Sequence, residues 1–462
     1  MSNQPKQLKL GAFLMSSGHH LAAWRYPDAR ADGGLNFDHF RQIAQTAERG
    51  KFDMIFFADG VAVRDRDRGP EVLSRSGHVV HFEPLTLLSA LAVVTDRIGL
   101  AATVSTTYNE PFHLARKFAS LDYLSGGRAA WNLVTSATTA EARNFSREKH
   151  MDHAPRYERA REFVEVVTKL WDSWEDDAFL RDKETGRYFD PEKLHVPNHK
   201  GEHFSVKGPL NVGRPIQGYP VIIQAGSSED GKNLAAQTAE VIFTAQQTLA
   251  DAQAFYADVK GRLAKYGRHP DQLKIMPGIF PVIGATEQEA QEKFAAIQAL
   301  IHPQVGLSLL AGMLGEVDLS QYPLDGPLPE IPPTELQQSR QRLLVELAQR
   351  ENLTIRQLYE AIAGARGHWQ VVGTPEQIAD KLEEWFRNDA ADGFNIMPPY
   401  LPGGLEEFVD HVIPILQQRG LFRAEYEGQT LRENLGLERP TNQFIPAQPT
   451  QREPELVGTS AH

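Results

Sequence analysis

The chain contains no cysteine. That excludes a disulfide framework, a thiolate metal site and a cysteine nucleophile. Methionine is sparse too, at 7 in 462 residues. A sulfur inventory this small suits a protein made when sulfur is scarce, although compositional drift is the plainer account of it. No run approaches 18 consecutive apolar residues, and the opening MSNQPKQLKL lacks the apolar stretch of a secretory signal. The expectation is a cytoplasmic protein with no membrane partner. Basic tracts are missing as well: the formal net charge is -12, which argues against nucleic acid as a partner.

Several signatures of chemistry are also absent. There is no GxxxxGK[ST] phosphate loop, no GxGxxG following a strand and no GxSxG elbow. His78 with His81, and His150 with His153, fit neither HExxH nor barrel-hydrolase spacing, so no metal is expected.

What is present is rhythm. Short β-rich runs alternate with amphipathic helical segments, the pattern of a parallel sheet with helical crossovers. The runs are LKLGAFL (8–14), DMIFFAD (53–59), IGLAATV (98–104), AAWNLVT (129–135), PVIIQAG (220–226), EVIFTA (240–245), KIMPGIFPVIG (274–284) and GFNIMP (393–398). Eight strands separated by helices predict an α/β TIM (β/α)8 barrel. FDHFRQIAQTAERG (37–50) carries an apolar stripe and stops at Gly50. PFHLARKFASLDYLSGG (111–127) begins with proline and ends in two glycines, and TPEQIADKLEEWF (374–386) opens with Thr374 and Pro375. Residues 175–219 and 303–370 interrupt the rhythm and are expected to decorate the barrel mouth, where such folds carry their active sites. One domain over 1–422 is expected, with 423–462, polar and proline-rich, as an arm or tail.

Candidate chemistry lies at the C-terminal ends of the strands. Asp59 closes an apolar run, and an acid there needs a donor partner. Thr103 ends the third run and the Asn132 amide lies within the fourth; a conjugated ring system with several carbonyl and NH groups could partner them. In MDHAPRYERAREF (151–163), His153 and Tyr157 are four apart and share a face near a helix start. Free NH groups and the dipole there favour an anion. In VIIQAGSSEDGKNLAA (221–236), Gly226 permits close backbone approach, and Ser227 and Ser228 bring hydroxyls to the next helix start. A phosphate fits this junction; an ordinary serine-capped turn fits it as well.

These segments, with FDMIFFADG, YNEPFHLARKFASLDYLSGGRAAWNLVTS, RYERAREFVEVVTKLWDSW, VVGTPEQIADKL and GFNIMPPYLPGGLEEFVDHVIPILQQRG, resemble the bacterial luciferase-like flavin monooxygenases. The nearest branch holds the nitrilotriacetate, EDTA and dibenzothiophene-sulfone monooxygenases, and the likeness runs from about residue 7 to 440. The resemblance implies a TIM barrel that binds flavin mononucleotide (FMN), delivered reduced by a separate NAD(P)H:flavin reductase, and that uses dioxygen to oxygenate a small substrate, often cleaving a carbon–sulfur or carbon–nitrogen bond. It places Asp59 and Thr103 beside the isoalloxazine ring, puts Asn132 on the strand lining the flavin pocket, and gives the ribityl phosphate to His153, Tyr157, Ser227 and Ser228. It also implies a homodimer or homotetramer.

On the substrate side, SSGHHLAAWR (16–25) follows the first strand, and His20 is the candidate contact. RDRDRG (64–69) and Arg75 could meet an anionic substrate, although a self-paired surface charge run explains them too. The low sulfur content favours carbon–sulfur cleavage in sulfur scavenging. Aminopolycarboxylate cleavage, deazaflavin-dependent hydride transfer on the same fold, and a non-enzymatic flavin-binding protein are the alternatives.

Overall fold

The computed structural model describes residues 6–63, 69–136, 138–334 and 338–446. Most of the RDRDRG run lies outside the described residues. Nine strands form one sheet: β1 (Lys9–Leu14), β2 (Met54–Phe57), β3 (Gly99–Ser105), β4 (Ala129–Val134), β5 (Val221–Gln224), β6 (Val241–Thr244), β7 (Lys274–Ile283), β8 (Trp369–Gly373) and β9 (Gly393–Ile396). Every pairing is parallel. The sheet runs β1-β2-β3-β4-β5-β6-β7, and β9 pairs with both β7 and β1 to close an eight-stranded barrel. The expected (β/α)8 barrel is the observed fold, and each expected run overlaps one of its strands.

β8 is the strand that the sequence pattern did not suggest. The second half of β7 overhangs the barrel and pairs with it, from Ile279↔Trp369 to Ile283↔Gly373. Trp369, Gln370 and Val372 are only half-buried, so this stretch lacks the uniformly apolar look of a barrel strand.

The barrel lumen is filled by Phe13, Met54, Phe56, Ala101, Ala130, Ile223, Val241, Phe243 and Met276. Alanines on β3 and β4 make room for the phenylalanines across the lumen, and the period of two turns Thr103 and Asn132 to the same inner face, nearer the mouth. A larger apolar cluster fills the space between barrel and helices, with Trp131, Trp171 and Trp385 fully buried. Helix Phe37–Arg49 turns Phe40, Ile43, Ala44 and Ala47 inward. Gly50 closes it with φ -73°, and the left-handed residue is Lys51. What requires glycine at 50 is space: a Cβ there would stand 2.7 Å from the Val409 side chain.

The two insertions lie at opposite ends. Segment 303–370 forms helices Pro303–Met313, Gln338–Glu351 and Ile355–Ile362 around an apolar cluster of its own and covers the mouth. Segment 175–219 does not. It follows helix His153–Trp171, which runs antiparallel to the strands and so delivers the chain to their N-terminal ends. There Arg214 pairs with Asp172 at 2.8 Å, and the Gln217 side chain donates to Asp122 and to the Ala129 carbonyl at the start of β4. The C-terminal segment closes the same end: Leu431 and Leu435 join the lumen cluster, and Arg423 Nη2 donates to the buried Asp53 carboxylate at 2.5 Å. Among the described residues no single helix is long and apolar enough to cross a membrane.

Candidate active site

At the mouth, β2 ends in Phe57, whose carbonyl accepts from Thr103 Oγ1 at 2.8 Å. Thr103 in turn accepts from Asn132 Nδ2 at 2.8 Å. That leaves Asn132 Oδ1 buried with no partner, a deficit of ~1–3 kcal/mol unless a ligand donor meets it. Asp59 follows β2 and finds its donor in His81, with Nε2 to Oδ1 at 3.0 Å. His81, which by sequence is only half of a rejected metal pair, is here the partner of the Asp59 carboxylate. No metal-binding cluster occurs among the described residues.

The second group lies on neighbouring helix starts. The rings of His153 and Tyr157 are 4.7 Å apart on the first turns of helix His153–Trp171. Ser228 caps helix Glu229–Thr238, its hydroxyl accepting from Gly231 N at 3.1 Å. Gly226 and Gly231 touch: a Cβ on Gly226 would be 2.9 Å from Gly231 Cα and 3.5 Å from the Tyr157 hydroxyl. Strand end, helix start and Tyr157 therefore form one small cradle. Two acids in its first turn would repel an anion, but both are engaged. Glu229 is held by Lys232 and by Arg262 at 2.9 Å, and Asp230 by His153 Nδ1 at 3.2 Å. Ser227 is exposed beside the cap.

A cavity of about 340 Å³ opens between these strand ends and the insertion helices. His19 lines it, not His20. Both His20 nitrogens are taken, by Gln298 Oε1 at 2.9 Å and Ala22 N at 3.1 Å, so the candidate substrate contact in this loop moves by one residue. His19 is fully buried, its Nε2 2.9 Å from the Phe13 carbonyl, and burial, then the Arg366 charge, push its pKa well below the usual range. His368 stacks on Phe243 with ring centroids 4.7 Å apart. Burial, then the Arg340 charge, likewise keeps it neutral. Arg75 is turned outward and paired with Glu71 at 2.5 Å. Arg340 and Arg366, which the sequence reading overlooked inside the long insertion, line the cavity in its place.

Residues 13–393 match the Luciferase-like monooxygenase family, more than four-fifths of the chain. The chain belongs to the luciferase-like monooxygenases. It is 60% identical over 446 residues to the N-acetyl-S-(2-succino)cysteine monooxygenase of Bacillus subtilis, covering 96% of this chain and 100% of that one. It is 55% identical to nitrilotriacetate monooxygenase component A of Aminobacter aminovorans, covering 95% and 98% of the two chains. A riboflavin lyase solved with modified FMN superposes with a TM-score of 0.85 at 34% identity, over 94% of this chain and 97% of that one. A flavin cofactor suits the luciferase-like fold, and the buried, unpartnered Asn132 Oδ1 and the close Gly226–Gly231 backbone contact are compatible with a polar ring edge and a phosphate.

Proposed function

We propose that the chain is the oxygenase component of a two-component system that takes reduced FMN from a separate NAD(P)H:flavin reductase. With dioxygen it oxygenates a small organosulfur compound at carbon beside sulfur, so that the carbon–sulfur bond breaks. The observation that carries this reading is the end-to-end 60% identity with a monooxygenase named for a thioether substrate. The 55% identity with a nitrilotriacetate monooxygenase makes carbon–nitrogen cleavage the second reading.

Asp59, Thr103 and Asn132 hold the flavin ring, with Asn132 Oδ1 accepting a ring NH. His153, Tyr157, Ser227 and Ser228 hold its phosphate, with the backbone of helix Glu229–Thr238 donating. The bound flavin supplies the two electrons that activate dioxygen. The protein positions the substrate and excludes water, the insertion helices covering the mouth. In balance, C–H, O2 and reduced FMN give C–OH, water and FMN; the hydroxylated carbon then releases the thiol and becomes a carbonyl. The test supplies NADH, FMN and a free flavin reductase with thiodiacetate, 2-(methylthio)succinate and nitrilotriacetate. Thiol or amine release that stops when the reductase is omitted supports the reading. Release sustained by NADH and this chain alone, or by none of the three compounds, sinks it.

A further inference from the structure

The barrel floor, opposite the mouth, holds a second cavity of about 240 Å³. Pockets for drug-sized ligands run to ~300–1,000 Å³, so this one suits a small ion. Three parts of the chain wall it: Lys9 at the start of β1, Lys274 at the start of β7, and Arg423 and Asn434 in the C-terminal segment. Lys9 Nζ and Arg423 Nη2 both donate to the Asn434 carbonyl, at 2.8 and 2.7 Å. Two basic groups therefore converge on one neutral acceptor.

Donors go unmet there. Arg423 and Asn434 are each 5% exposed, yet Arg423 Nη1 and Asn434 Nδ2 have no hydrogen-bond partner among the described residues, and a buried donor left so is costly. The acids that line the cavity are turned to other donors or to solvent. Asp392 accepts from Tyr256 Oη at 3.0 Å, Ile275 N at 2.9 Å and Lys260 Nζ at 2.8 Å. Glu433 accepts from Gln429 N at 2.7 Å and Thr430 N at 3.0 Å, and Glu427 is exposed. Asp53 gives one oxygen to Leu10 N at 2.7 Å and the other to Arg423 Nη2 at 2.5 Å. Residues 1–5, MSNQP, include no acid. Burial, reinforced by Arg423 and Lys274 against Asp53 and Glu427, lowers the Lys9 pKa from 10.5 to about 8. An anion beside Lys9 would restore its charge.

We infer that the floor cavity binds a tetrahedral oxyanion, sulfate or phosphate, which takes the free Arg423 and Asn434 donors and ties β1 and β7 to the C-terminal segment. Oxygens pointing four ways suit donors that arrive from three segments better than a planar carboxylate does. The site does not depend on the oxygenase reading. Its test is isothermal titration of the full-length protein with sulfate, phosphate and acetate at constant ionic strength; the full chain lets the acids of residues 447–462 compete as they do natively. Sulfate or phosphate binds, the tighter of the two being the ion of the site, and acetate binds more weakly than either. Asn434→Asp keeps the acceptor for Gly428 N but sets a carboxylate oxygen where Nδ2 stands, and it weakens the oxyanion at least about tenfold. Ser228→Asp, at the distant mouth, changes floor binding less than about twofold. Sulfate affinity falls about tenfold from pH 7 to pH 9 as Lys9 loses its proton, and Lys9→Met flattens that profile. No binding of either ion by the wild type, unchanged binding in Asn434→Asp, or a loss as large in Ser228→Asp overturns the inference. So does a pH profile that Lys9→Met leaves intact. Acetate binding more tightly than both ions overturns the choice of a tetrahedral ligand. Should Asn434→Asp fail to fold, Lys9→Met and the pH profile decide.

Discussion

Gly226→Ala is the sharpest probe of the phosphate cradle. Gly226 is not among the positive-φ residues, so alanine strains nothing in its own backbone and acts through contact alone. Its Cβ would stand 2.9 Å from Gly231 Cα, whereas carbon atoms rest at about 3.5–4.0 Å, so strand end and helix start must part by about 0.6–1 Å. Overpacking of this kind costs ~1–3 kcal/mol. If about 1–2 kcal/mol of it falls on a phosphate held by the helix NH groups, FMN binding weakens ~5–30-fold, at 1.4 kcal/mol per tenfold. Riboflavin, which has no phosphate, should lose less than about threefold, since Asp59, Thr103 and Asn132 are untouched. The assay is anaerobic titration of photoreduced FMN and photoreduced riboflavin into wild type and variant. Equal losses for both ligands, or a lowered Tm with unchanged FMN affinity, would refute the cradle.

Ser228→Asp separates a helix cap from a phosphate ligand. Aspartate caps as well as serine, so Tm should hold within ~0.5 kcal/mol equivalent while FMN binding falls at least about tenfold through like-charge repulsion; unchanged FMN affinity would reduce Ser228 to a cap. Asp59→Asn acts at the other end and should weaken FMN and riboflavin alike, whereas a phosphate-selective loss would contradict its placement at the ring. Arg423→Met leaves the buried Asp53 carboxylate without its cation and should cost ~3–5 kcal/mol of stability by urea unfolding; a loss under 1 kcal/mol would mean that the C-terminal segment does not lock the barrel floor. Burial lowers His20 to about 4 from 6.5, so below pH 6.5 the unfolded chain takes up a proton that the folded one refuses, and stability falls as pH drops from 6.5 toward 4. From this residue alone the loss between pH 7.5 and 5.5 is about 1 kcal/mol, and His20→Asn should remove that share; identical pH slopes for the two proteins would refute it.

Barrel strands were legible because their burial on two faces leaves almost nothing but apolar residues, as in Met54–Phe57 and Val221–Gln224. Trp369–Gly373 escaped because it pairs only with the overhang of β7 and is wet on one side. Thr103 and Asn132 stood out as polar residues in apolar runs, and the structure does bring them together. His81, Arg340 and Arg366 carried no such contrast. They sit in polar stretches where histidine and arginine are ordinary, and only the folding of a distant insertion over the mouth turns them inward. The 175–219 insertion was given to the wrong end because length alone does not tell a βα loop from an αβ loop. Helix direction does, and the helix that delivers the chain to Asp172 ends at the barrel floor.

The absence of cysteine makes the decisive experiment clean, since every thiol that appears must come from the substrate. Full-length protein is mixed anaerobically with one equivalent of photoreduced FMN and excess 2-(methylthio)succinate, then with oxygenated buffer and no reductase, and thiol and hydrogen peroxide are counted. The prediction is close to one methanethiol per FMN oxidised, with little peroxide. Stoichiometric peroxide and no thiol from this compound or from thiodiacetate, together with no amine from nitrilotriacetate, would contradict a flavin-dependent oxygenase that cleaves beside sulfur or nitrogen.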